Sequence, residues 1–107
     1  MLTINQITEL CKAGIDVRPS NKRPQSIIGE YDPSMLEVVL YTGKMNSLED
    51  FGLTILNGMI SARDNICGTR TDRSYDQIEI EAAKTYEKSP DVLRFIMELY
   101  NIKIRVQ

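Results

Sequence analysis

Apolar residues recur along this chain with a helical period in four stretches, and a shorter alternating spacing separates the first two. Behind Thr3, the residues Ile4, Ile7, Leu10 and Cys11 repeat at helical spacing, and Gly14 falls where a stop is expected. This predicts a first helix over about residues 3–13. Ile15, Asp16 and Val17 can be extended, but Pro19, Ser20, Asn21 and Pro24 mark a loop. Ser26 to Tyr31 and Leu36 to Tyr41 are short apolar runs rich in β-branched or aromatic residues, with the turn sequence Asp32-Pro33-Ser34 between them. The spacing predicts a β-hairpin, closed by Thr42-Gly43-Lys44. Ser47 can cap a second helix over about residues 48–64, and Glu49 and Asp50 in its first turn suit the helix dipole.

That second helix is predicted to be the most buried. Leu48, Phe51, Ile55, Met59 and Ala62 form one stripe, widened by Leu53, Leu56 and Ile60, so most of its circumference is apolar. A narrow strip of Asp50, Thr54, Asn57, Ser61 and Asp64 remains, aligned by alternating spacings of four and three. Gly58 in mid-helix costs about 1 kcal/mol relative to Ala, so it calls for close backbone packing or a dispensable side chain. The stretch from Arg63 to Arg73 reads as a connecting loop with Arg63, Arg70 and Arg73 on a solvated surface. Ser74-x-x-Gln77 is a capping box, and Ile78, Ala82 and Tyr86 follow at spacing four, which predicts a third helix over about residues 75–87. Ser89-Pro90-Asp91 opens a fourth helix that is expected to bury Val92, Phe95, Ile96 and Leu99. Residues 102–106 alternate with period two, so an edge strand is expected at the end.

Composition narrows the classes. A chain of 107 residues, 42% hydrophobic, is expected to form a single domain over 1–107 with a modest core. Thirteen basic and fifteen acidic residues leave a net charge of −2, which supplies no global field for nucleic acid or an anionic membrane. Cys11 and Cys67 stand far apart in no metal-binding spacing, as free thiols in a reducing cytoplasm would. No basic leader followed by an apolar run and no membrane-length apolar stretch is visible, so a cytoplasmic protein is expected. The five tyrosines fall at element ends, where half-buried rings with wet hydroxyls are expected, and Met59 belongs to the deepest stripe.

The chain contains no histidine, so it lacks both the commonest zinc ligand and the usual general base near neutral pH. Any chemistry has to come from carboxylates, thiols, Lys or Tyr, and oxygen-held Mg²⁺ or Mn²⁺ is the metal chemistry left to it. Against that background, the run Asn57-Gly58-x-x-Ser61-Ala62-Arg63-Asp64 on a central apolar helix, the preceding Tyr31-Asp32-Pro33 to Tyr41 hairpin, and Glu79-x-Glu81-Ala82 on the next helix are similar to a minimal zincin-type metallopeptidase. The order of elements matches over about residues 27–86, and the small ImmA/IrrE-like and SprT-like groups are the nearest in pattern. In those groups a helix carries His-Glu-x-x-His, with two imidazoles one turn apart for zinc and the Glu as base.

Asn57, Gly58 and Ser61 stand at those positions here, so the resemblance implies a frame without its chemistry. The third ligand of such proteins, a Glu on the following helix, would correspond to Glu79 or Glu81, with Glu81 before Ala82 the closer match. The implied fold is α+β and zincin-like. It comprises an N-terminal helix, a short antiparallel sheet, a central buried helix, two following helices and a terminal edge strand. The implied function is that of a catalytically inactive, metallopeptidase-like protein without a cofactor, acting on a protein partner in a regulatory role within a phage or mobile element. Asn57, Ser61, Asp64 and Glu81 are the candidate binding residues, and Glu79 and Glu81 the vestigial metal ligands. An alternative reads Asp72, Asp76, Glu79 and Glu81 as the divalent-metal site of a nuclease. On a helix, however, Glu79 and Glu81 point about 200° apart. A structural or assembly subunit with no cleft is the third reading.

Overall fold

The computed structural model describes residues 1–68 and 73–102. Helix α1 (Ile4–Lys12) begins at a reciprocal capping box. The Gln6 amide donates to the Thr3 hydroxyl at 3.2 Å, and the Thr3 amide donates to the Gln6 side chain at 3.0 Å. Three strands follow, β1 (Asp16–Ser20), β2 (Gly29–Asp32) and β3 (Glu37–Tyr41), and then a short 3-10 turn over Thr42–Lys44. Helices α2 (Leu48–Cys67), α3 (Tyr75–Lys88) and α4 (Pro90–Leu99) complete the described chain. The fold is α+β, and among the described residues no helix is long and apolar enough to cross a membrane.

The predicted hairpin is present: β2 and β3 run antiparallel, with Tyr31 opposite Val38 and Gly29 opposite Leu40. Asp32 shapes its turn by accepting from the amides of Ser34 and Met35. The sheet as a whole is mixed, not antiparallel as expected. Its order is β1-β3-β2, and β1 pairs parallel to β3 with Val17 beside Val38. β1 also continues through Pro19 and Ser20, where a loop is expected. An edge strand tolerates proline because one row of its backbone groups needs no partner, and β1 is an edge.

Helix α2 runs through the middle of the core, and Ile55, Leu56, Met59, Ile60 and Ala62 are fully buried. Ser47 caps it by accepting from the Asp50 amide at 3.1 Å, and Gly68 closes it with φ 65 in the left-handed region. The helix extends to Cys67, beyond the predicted end at 64, and Arg63 and Asp64 are buried and ion-paired within it. Leu48 and Leu99, both expected in the core, are 56% and 42% exposed. Each lies at a helix end, beyond the elements that cover the rest of its stripe.

Two glycines let α2 approach its neighbours. A Cβ at Gly58 would stand 2.4 Å from a Val38 methyl on β3, and one at Gly52 would stand 2.7 Å from the Tyr86 ring on α3. Close packing therefore accounts for Gly58. Helix α3 starts at the predicted capping box of Ser74 and Gln77. Helix α4 starts with proline in its first turn, but Ser89 makes no side-chain cap; its amide donates instead to the Thr85 carbonyl. The expected terminal strand lies, apart from Ile102, outside the described residues.

Candidate functional site

Strand β2 borders a groove. Val38 packs on Gly58 of α2, so Val38 and Leu40 mark the helix-facing side of the sheet, and their partners Tyr31 and Gly29 share it. The Tyr31 hydroxyl donates to the Asn65 side chain at 3.0 Å and ties the strand to the last turns of α2. Between them, Asp50, Thr54, Asn57, Gly58 and Ser61 form a floor. Ile27 to Tyr31 form one wall, and Tyr75 and Glu79 at the start of α3 form the other. The groove encloses about 400 Å³. The polar strip of α2 thus faces a recess and not an open surface.

The strand edge along this groove has free backbone groups. Tyr41 donates its amide to the Ile28 carbonyl at 2.9 Å, and bonded pairs alternate in an antiparallel ladder. Glu30 with Val39 and Asp32 with Glu37 are then bonded pairs, so Gly29 and Tyr31 turn their N–H and C=O outward. Among the described residues no strand pairs with that side of β2.

The residues singled out by the motif divide into two sets. Asn57 and Ser61 are half-buried on the groove floor, and Glu79 lines the groove across from them. Glu81 and Asp64 do not join them. Glu81 sits two residues after Glu79 on α3, which turns it to the other side of the helix, toward the end of α2. Of the two carboxylates proposed for the ligand position, the groove therefore holds Glu79, whereas the sequence pattern favours Glu81. Asp64 follows the polar strip in helical phase, but it is 5% exposed and faces arginines.

Those arginines complete a buried four-charge cluster. Arg63 donates to both oxygens of Glu81, at 2.6 and 2.9 Å, and to Asp64 Oδ1 from Nε and Nη2 at 3.2 and 2.9 Å. Arg73 donates to Glu81 Oε1 at 2.6 Å and to the Gln77 carbonyl at 3.1 Å. Its Nε faces Asp64 Oδ2 at 3.6 Å, and these two atoms are the buried polar atoms without a hydrogen-bond partner among the described residues. Gln6 of α1 accepts from Arg63 at 3.4 Å. Burial raises the Glu81 pKa, but hydrogen bonds from Arg63 and Arg73 outweigh it and hold that carboxyl at about 2. Arg63 and Arg73 are therefore internal ties and not the solvated loop cluster expected of them. A signal was present in the sequence: Arg63 follows Met59 by four and Ile60 by three, which places it on the apolar stripe.

Tyr75 was also missed as a groove residue. It is 66% exposed, and its hydroxyl pKa is raised by partial desolvation and then by the Glu79 carboxylate, against the opposing effect of a hydrogen bond with Asn57. Its place at the first turn of α3 gave no periodic signal.

Asn57 and Ser61 offer neutral oxygen donors, too weak to stand in for a pair of imidazoles on zinc, and Gly58 offers no base. Among the described residues no three His, Cys, Asp or Glu side chains are grouped to hold a metal. For the nuclease reading, Asp72 lies outside the described residues, and Glu79 and Glu81 are on different sides of α3. No protein-family model, no curated protein and no solved structure matches this chain.

Proposed function

We propose that this protein is a catalytically inactive, zincin-like binding module that takes up an extended segment of a partner protein beside β2. The observation that carries the reading is the outward-facing backbone of Gly29 and Tyr31 along a groove whose floor is Asn57, Gly58 and Ser61. An added strand would take its affinity from main-chain hydrogen bonds at that edge, and its selectivity from alternate side chains entering the groove. The reading is supported by a groove of about 400 Å³ beside a strand edge, on a helix whose groove-facing residues include no histidine or glutamate that could activate water. In this reading the protein acts in the cytoplasm as a regulatory partner, in keeping with a phage or mobile-element setting, and needs no cofactor. The presence of a groove favours it over a purely structural subunit.

Two measurements test it. Calorimetric titration of the metal-stripped protein with Zn²⁺, Mn²⁺ and Mg²⁺ is expected to show no saturable binding. Tight binding lost in Glu79→Ala, which leaves the Glu81 cluster intact, would move a carboxylate-based enzyme to the front. Amide exchange in the presence of blocked strand-forming peptides is expected to slow at Gly29 and Tyr31, and alternate N-methylation of the peptide is expected to remove that protection.

A further inference from the structure

We infer that the segment taken up beside β2 carries a basic side chain, Lys or Arg, which seats between the Glu79 carboxylate and the Tyr75 ring. This deepens the strand-addition reading above and rests on it.

Among the described residues, the ionisable groups that line the groove, apart from the Tyr31 and Tyr75 hydroxyls, are Asp50 and Glu79, with Glu30 at its border and its side chain turned to the other face of the sheet. Among the described residues, none of these three carboxylates forms a salt bridge and no Lys or Arg lines the groove. Two of them have other compensation. Glu30 accepts from the Tyr41 hydroxyl at 3.0 Å. Asp50 accepts from the Asn46 amide at 3.1 Å and stands in the first turn of α2, where the helix dipole favours a negative charge. Glu79 lies in the second turn of α3, beyond the first turn where the helix dipole favours a negative charge, and its neighbour is the neutral hydroxyl of the largely exposed Tyr75.

Tyr75 adds an aromatic face. A ring left 66% exposed next to a carboxylate offers a cation both a π-face and an opposite charge. The half-buried Ile27 and Ile28 on the facing wall can cover the methylene stem of a Lys or Arg. A strand with an acidic residue at that place would bring like charges together at Glu79 and Asp50, which is a penalty against the wrong partner.

The test uses blocked hexapeptides of alternating Val and Thr, with one central position varied among Lys, Arg, norleucine and Glu. Affinity for the full chain is followed by NMR at the Gly29 and Tyr31 amides. The Lys and Arg peptides are expected to bind about tenfold tighter than norleucine, with Glu the weakest and the preference shrinking as salt is raised. Glu79→Gln, on an exposed face of α3, is expected to bring the Lys and Arg peptides down to the affinity of the norleucine peptide measured on the same variant, and Glu79→Lys is expected to invert the preference toward the Glu peptide. Circular dichroism of both variants confirms that they remain folded.

Equal binding of the Lys and norleucine peptides at β2 would overturn the basic preference and leave strand addition standing. A Lys preference that survives Glu79→Gln would overturn the role of Glu79. If no peptide perturbs Gly29 and Tyr31, strand addition itself fails, and this inference fails with it.

Discussion

The guanidinium of Arg63 spans both oxygens of Glu81, at 2.6 and 2.9 Å, and so joins the end of α2 to the middle of α3. The Arg63 and Glu81 side chains are 9% and 12% exposed, and Arg73 and Asp64 complete a cluster of zero net charge. Removing one member leaves a net buried charge and the remaining partners only partly compensated.

Arg63→Ala is accordingly expected to cost about 3–5 kcal/mol of stability, a large share of what a domain of this size has. Arg63→Lys should recover part of this, because an ammonium cannot form the two-pronged contact. Urea denaturation followed by circular dichroism measures both. A loss within experimental error for Arg63→Ala would mean that the cluster is not a structural tie.

Acid should reveal the same contact. The Glu81 carboxyl sits at about 2 in the folded protein against an ordinary 4.5, so the unfolded chain binds its proton more readily. Its contribution is fully present above pH 4.5 and is lost as the pH falls toward 2. With partial solvent screening taken into account, that contribution is on the order of 2 kcal/mol. Denaturation midpoints across this range should fall less steeply for Glu81→Gln than for the parent protein.

Gly58→Ala sets two effects against each other. Alanine favours a helix by about 1 kcal/mol, but its methyl group would stand 2.4 Å from Val38, which is fully buried. Overpacking of this kind typically costs about 1–3 kcal/mol, so net destabilisation is expected. Val38→Ala in the same chain should relieve much of it, giving a non-additive double-mutant cycle. Additive losses would place the strain elsewhere.

The zincin-like frame can be tested by restoring ligands. Asn57→His/Ser61→His places two imidazoles one turn apart on the groove floor, across from Glu79. One Zn²⁺ per chain is expected to bind. Adding Glu79→Gln should weaken it by about 10–100-fold, whereas adding Glu81→Gln should not. Loss of zinc binding on the Glu81 change would return that residue to the ligand position.

Periodicity was informative wherever one element decided the pattern. The hairpin, the capping boxes at Thr3 and Ser74, and the long apolar face of α2 were readable because their signals lie within a few residues of one another. The parallel pairing of β1 with β3 was not. It joins Asp16 to Glu37 and Ser20 to Tyr41 across the intervening β2, and no local spacing encodes which edge a strand will choose. The charge cluster was hidden for a similar reason. Arg63 and Arg73 look like loop residues until α3 brings Glu81 between them, although the position of Arg63 on an apolar stripe was a clue. For the groove, the sequence supplied Asn57 and Ser61, but choosing between Glu79 and Glu81 required knowing how α3 is rotated about its axis.

The contact between Gly58 and Val38 also limits what mutation can make of this protein. A carboxylate at position 58, where the proposed zincin-like reading would put a hydrolytic base, cannot be accommodated unless the valine on β3 gives way. Single substitutions toward that chemistry meet the folding requirement before any activity can be selected. Two neighbouring residues on different elements must change together before any side chain larger than hydrogen can stand at that point of the helix.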